Sequence, residues 1–243
     1  MNKFWLNSVL ALTLGMTGCA SKQTFVGEVD DPEQEVSRLL EVELSRLQSG
    51  EYCLNDSRQR SDGCDGTLQR LTQLYTVFPD YEKLQLALAI TFHTRNKNRE
   101  ALYYLDQLLR DNRPRPEAAI LAAKIAMEEG NTRRAQSLLE TQRRLAPMHA
   151  GIHETLAAVF YLNHEPQEGF SALAAAEQLG APDWRVAYHR GLLYELTENE
   201  AAACEQYAAS FTLKPSFHRP NGRILGLTHN AVCLELSKFI GGR

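Results

Sequence analysis

Beyond its first twenty residues the chain has no uninterrupted apolar run near the roughly 18 residues that a membrane-crossing helix requires, so none is expected there. Charge of a single sign is also scarce. The chain carries 26 basic against 30 acidic residues, a formal net charge of −4, with no basic stripe interleaved with aromatics. Nucleic acid, which is held first through its phosphates, is therefore not an expected partner. Val, Ile and Thr are sparse beside Ala, Leu, Glu, Gln and Arg, which disfavours strands and argues for an all-α chain. The common catalytic signatures are missing: no His-Glu-x-x-His, no Gly-x-Ser-x-Gly and no phosphate-cradling glycine loop. Among seven histidines, His149 and His153 stand four apart and could share a helix face, as a metal site needs. However, His149 follows Pro147 at a junction, and no carboxylate or third His stands at ligand spacing, so both read as ordinary surface or packing residues. No enzymatic activity, cofactor or metal is expected.

What the chain does have begins at its N-terminus. Lys3 supplies a positive start, Phe4 to Met16 are mostly apolar, and small residues lead into Met16-Thr17-Gly18-Cys19. The apolar stretch is too short to span a bilayer as a stop-transfer helix, and reads as an export signal over residues 1–18. The Cys after the small residues resembles the bacterial lipobox. That resemblance implies cleavage before Cys19 and acylation of its thiol and new amine, so the membrane is a partner through lipid. Several acyl chains on one residue anchor stably, each buried methylene contributing about 0.8 kcal/mol. By the same family's sorting rule, Ala20 in place of Asp implies the outer membrane, periplasmic face. Residues 19–34, with Gly27 and Pro32 and no sustained period, read as a flexible tether.

The body of the chain repeats itself. With starts at Glu82, Pro116, Ala150 and Trp184, the period is 34 residues without a gap. The eighth place holds Ala89, Ala123, Ala157 and Gly191, and the twentieth holds Ala101, Ala135, Gly169 and Ala203. The eleventh place holds Phe92, Ala126, Phe160 and Tyr194, large in three of the four repeats, and the twenty-fourth holds the large Leu105, Leu139, Leu173 and Tyr207. Pro147 and Pro215 stand at the thirty-second. This small-large pattern resembles the tetratricopeptide repeat (TPR) over residues 82–217. Small residues let paired helices approach, and large ones fill the space to the next pair. The resemblance implies a right-handed superhelical solenoid of helix pairs. Residues 35–81 read as an N-terminal helix, a polar Cys-containing loop over Glu51–Gly66 and a degenerate repeat; residues 218–243 read as one C-terminal capping helix.

After Cys19 four cysteines remain, an even number that suits disulfides in an exported chain and permits three connectivities. Metal-bound or free thiols are the alternative. On the repeat geometry, Cys204 near the start of a second helix is expected to meet Cys233 near the end of the next antiparallel helix, leaving Cys53 with Cys64.

The same resemblance implies that places 2, 5, 9, 12 and 13 of each first helix face a concave groove. The expected partner-binding residues are Leu86, Ile90 and His93; Ile120, Lys124 and Met127; Val159 and Leu162; Tyr188, Leu192 and Glu195. The Lys/Asn/Arg set by which chaperone-binding members hold a terminal carboxylate is missing, and the strip is mainly apolar, suited to an amphipathic helix or apolar peptide. Size, lipobox and repeat number resemble those of the pilotin-type lipoproteins of type IV and tight-adherence pili. Envelope proteins, a secretin or pilus component among them, are the expected partners. The alternative is an adaptor that recruits peptidoglycan hydrolases or proteases; an enzyme on a repeat scaffold is the third reading.

Overall fold

The computed structural model describes residues 31–49 and 62–241, with side chains over 31–43 and 66–238. Among the described residues there are twelve helices and no strand. Helices α1 (Pro32–Ser49) and α2 (Asp62–Val77) come first. Four pairs follow: α3 (Glu82–Thr94) with α4 (Asn98–Leu108), α5 (Pro116–Glu128) with α6 (Thr132–Leu145), α7 (Ala150–Leu162) with α8 (Pro166–Gln178), and α9 (Asp183–Leu196) with α10 (Glu200–Leu213). Two shorter helices, α11 (Arg219–Gly226) and α12 (Ala231–Gly241), end the chain. Successive helices pack on one another, and α7 also touches both α5 and α9, which is the stacking of a solenoid.

The regularity of the pairs is written into their turns. At the fifteenth place stand Asn96, Gly130, His164 and Glu198, all in the left-handed region with φ between 58° and 75°. Each donates its amide to the carbonyl three residues back, and the next residue donates five back: Lys97 to Phe92, Asn131 to Ala126, Glu165 to Phe160, Asn199 to Tyr194. This paired closure ends a helix and satisfies its last carbonyls. Asn131 and Asn199 then cap the following helix, accepting from the Arg134 amide at 3.1 Å and the Ala202 amide at 3.3 Å. Only one repeat has glycine at the left-handed place, although a Cβ is costly there. His164→Gly at this exposed turn is expected to raise stability by about 1 kcal/mol, read from the denaturant midpoint. An unchanged or lower midpoint would count against the left-handed turn.

The second turn of each repeat comes in two forms. At place 31, Asn112 and Gly180 are left-handed, with φ of 57° and 85°. Ala146 and Lys214 instead keep a negative φ, −136° and −141°. Pro147 and Pro215 follow those two, and a proline pushes its predecessor out of the helical region, so these repeats need no left-handed residue.

Ala89, Ala123 and Ala157 are at most 1% exposed, as are Ala101, Ala135 and Ala203, and Gly169 and Gly191 are buried between helices. Leu105, Leu139, Leu173 and Tyr207 lie in the same clusters as the small residues of their own repeats or, for Tyr207, directly over Gly191.

Both ends depart from expectation. The tether, expected through residue 34, gives way to helix at Pro32, because Asp31 Oδ1 accepts from the amides of Glu33 at 2.9 Å and Gln34 at 3.3 Å. α2 starts at Asp62, inside the segment expected to be loop, and takes Gly63 and Gly66 into the helix. α1 shares a core with α2 and α3 through Val36, Leu39, Leu71, Leu74, Leu84 and Leu88. It thus packs as a partner helix for α2 and α3. At the other end, the single expected capping helix is two. Asn230 accepts from the Val232 amide at 3.0 Å, starting a fresh helix after α11 ends at Gly226. Cys204 and Cys233 form a disulfide with Cα atoms 5.4 Å apart, joining α10 to α12. Cys233 is the third residue of that second helix, not the end of a first one. Cys19, Cys53 and the side chain of Cys64 lie outside the described residues.

Candidate functional site

The first helices of the repeats line one side of the solenoid, where a cavity of about 790 Å³ opens. α3 contributes His93, α5 contributes Ile120, Lys124, Met127 and Glu128, and α7 contributes Glu154, Ala158 and Leu162. Trp184, Arg185, Tyr188 and His189 come from α9, with Phe217 and Arg219 from the approach to α11. The volume falls within the range of about 300–1,000 Å³ that ligand-taking clefts occupy.

Glu154 is the electrostatic centre. Its side chain is 8% exposed, with one carboxylate oxygen 3.3 Å from Arg185 Nε and the other 3.4 Å from His189 Nε2. Arg185 and His189 are four apart on α9, one above the other on the same face, which lets both reach a single carboxylate on α7. Histidine and glutamate also meet at the rim: His149 Nε2 is 3.3 Å from Glu117 Oε1, and His93 Nε2 is 3.8 Å from Glu128 Oε1. His153 turns away, its Nε2 2.8 Å from the Pro147 carbonyl, so His149 and His153 do not converge on one point. Lys124 stands open to water but ringed by protein. That crowding pushes its pKa below the usual lysine range against the pull of Glu154.

One end of the groove is aromatic. Trp184 and Phe217 have ring centroids 4.8 Å apart, Phe217 and Tyr188 5.1 Å. Lys214 Nζ sits 4.3 Å from the Trp184 centroid, and the Arg185 guanidinium 5.6 Å from it.

Of the residues expected in the groove, His93, Ile120, Lys124, Met127, Leu162 and Tyr188 line this cavity. Leu86 instead packs on the core shared by α3, α4 and α5, and Ile90 is half-buried outside the cavity. Val159 is fully buried among Ala123, Ala126 and Leu139. It occupies the tenth place of its repeat; the ninth is Ala158, and the fifth is Glu154, and both of these face the groove. Leu192 is 6% exposed in the core around the disulfide, because the C-terminal helices close over α9. Glu195 lines a separate hollow of about 420 Å³ with Arg223, 3.0 Å away. Burial there raises the carboxyl's pKa, opposed by the Arg223 charge. The strip adds charged and imidazole groups, Lys124, Glu128, Glu154, Arg185, Arg219, His93, His149 and His189, to the apolar and aromatic side chains expected there.

No family model and no curated relative matches the sequence. Solved structures do match the architecture. A thermophilic TPR protein from Thermus thermophilus aligns with a TM-score of 0.62 at 16% identity, over 78% of this chain and 99% of that one. A chain of the Cut9–Hcn1 hetero-tetramer of the APC/C aligns with a TM-score of 0.66 at 14% identity, over 88% of this chain and 41% of that one. A tetratricopeptide repeat protein from Parabacteroides merdae gives 0.58 at 12% identity, over 86% and 80%. The chain has the fold of a tetratricopeptide-repeat solenoid, with all-α helix pairs and closing helices at each end.

Proposed function

We propose that the chain is a protein-capturing scaffold, tethered through lipid on Cys19 to the periplasmic face of the outer membrane. It holds a segment of an envelope protein in its groove and serves as an assembly or stability factor for a pilus or secretin machine. The observation that carries the capture role is the groove itself: side chains from α3, α5, α7, α9 and α11 converge on one cavity of about 790 Å³. A stacked-repeat protein presents such a surface as a consequence of its curvature. The buried Cys204–Cys233 pair suits an oxidising compartment outside the cytosol.

Cys19→Ser is expected to move the protein from the membrane pellet to the soluble periplasmic extract after osmotic shock. Continued sedimentation with membranes would overturn the anchor. In the same cells, deleting the gene is expected to deplete detergent-resistant secretin multimers on gels. Normal multimers would remove the secretin assignment.

A further inference from the structure

We propose that the groove's guest is an acidic segment of a partner protein, its carboxylates held by Lys124, Arg219 and Arg185 and an apolar side chain seated beside Trp184, Tyr188 and Phe217. The inference rests on the groove being the capture site. It deepens that reading by naming the chemistry of what is captured.

The argument starts from charge. The chain as a whole is acidic, with a formal net charge of −4. The groove reverses this: three Lys/Arg residues line it (Lys124, Arg185, Arg219) against two carboxylates (Glu128, Glu154). Both carboxylates are already engaged, Glu154 by Arg185 and His189, and Glu128 by His93 and by the Asn98 side-chain amide at 3.3 Å. Lys124 and Arg219, in contrast, have no ion-pair or hydrogen-bond partner among the described residues, although most other described Arg side chains find one. Arg219 sits one period after Arg185, at the second place of the next unit, so successive first helices aim cations at the same hollow. Electrostatic complementarity of this kind selects partners by sign and raises the rate of encounter.

The aromatic end decides between an acidic protein segment and a nucleic acid, the other polyanion. Stacking of bases needs free ring faces. Trp184 has Lys214 over its ring and Phe217 against it, and Phe217 is packed edge-on against Tyr188. What remains are ring edges and rims, which suit aliphatic or aromatic side chains. Glu128 and Glu154 would further repel a continuous phosphate backbone, whereas a peptide can space its carboxylates around them.

The test uses the full chain, purified in detergent and immobilised, with a random 12-residue peptide display library as the probe. Wild type is expected to enrich peptides in Asp and Glu, with an aromatic or Leu nearby. The double variant Lys124→Glu/Arg219→Glu is expected to lose that enrichment and to bind the selected peptides on the order of tenfold or more weakly. The neutral pair Lys124→Gln/Arg219→Gln should fall between. Arg133→Glu/Arg144→Glu, the same charge change at exposed sites on α6 away from the groove, is expected to behave as wild type. Ala158→Phe, which fills the cavity, is expected to abolish binding. Circular dichroism checks that each variant is folded. A neutral or basic selected pool, or acidic peptides held equally by Lys124→Glu/Arg219→Glu, overturns the acidic guest while loss in Ala158→Phe keeps the groove. Selected peptides that bind Ala158→Phe as well as wild type, or a library without binders, overturn the groove reading too. Retention of poly(U) by wild type and its loss on charge reversal would reassign the cations to nucleic acid.

Discussion

Replacing Cys204 and Cys233 together by Ala is expected to lower the stability of the oxidised protein by about 3–4 kcal/mol, the loop-closure value for a cross-link of this span. The two cysteines are 29 residues apart in sequence and both are fully buried. Their bond joins α10, in the last full repeat, to α12, so it closes a loop around α11, a helix of only 8 residues. A helix that short has little stability of its own. Without the bond, the C-terminal pair is held by the packing of Ile224, Leu227 and Leu236 on Leu192 and Tyr207. In a solenoid each unit is stabilised by its neighbours, so terminal units open first. The loss should therefore appear as faster amide exchange over residues 219–241, with α3 to α8 still protected, and as a lower denaturant midpoint. A reductant should reproduce it in the wild-type chain. An unchanged midpoint with reductant would mean that the bond contributes nothing to holding the cap.

The repeat was legible because it depends on a few residue types at fixed places. A residue that must be small or large stays visible whatever surrounds it; hence Ala89, Ala123, Ala157 and the recurring large residues mark the helix pairs, whereas the left-handed place, filled by Asn96, Gly130, His164 and Glu198, has no such mark. The ends were less legible because their rules are local. Asp31 caps α1 with one side-chain oxygen, and Asn230 divides an apolar stretch into two helices by the same means. Neither disturbs the apolar periodicity from which helices are read. The groove was partly legible. In the third repeat Val159 stands one residue past the ninth-place Ala158 that faces the cavity, and Val159 is core. On a helix one residue is a rotation of about 100°, enough to carry a side chain from one face to another. Leu192 kept its register and is still buried, because the closing helices cover it, a tertiary effect that no periodicity reports. Arg219 was within reach: continuing the 34-residue count one unit beyond Arg185 arrives at it. Phe217 precedes that helix and belongs to no place in the pattern.

Gly191→Ala poses a contest between two effects of opposite sign. By helix propensity alone, replacing a mid-helix glycine with alanine stabilises by about 1 kcal/mol. The packing says otherwise. A Cβ built on Gly191 would lie 2.4 Å from Tyr207 Cε1, 2.6 Å from Cδ1 and 3.0 Å from Cζ. Three atoms of one rigid ring cannot all give way by a side-chain twist, and Tyr207 is fully buried, so the helices themselves must separate. Overpacking of this kind costs about 1–3 kcal/mol and outweighs the propensity gain, so a lower melting temperature is expected. The other three repeats point to the remedy, since they combine a small residue at the eighth place, Ala in each, with Leu at the twenty-fourth. Tyr207→Leu alone should destabilise by leaving a void under the buried ring's place. Introduced together, Gly191→Ala/Tyr207→Leu rebuilds the pair found in the other repeats and should be more stable than the two single losses summed, by about 1–2 kcal/mol of coupling. Strictly additive losses, or a Gly191→Ala variant more stable than wild type, would show that α9 and α10 are free to adjust their distance. The small residue would then be incidental to how the last repeat closes.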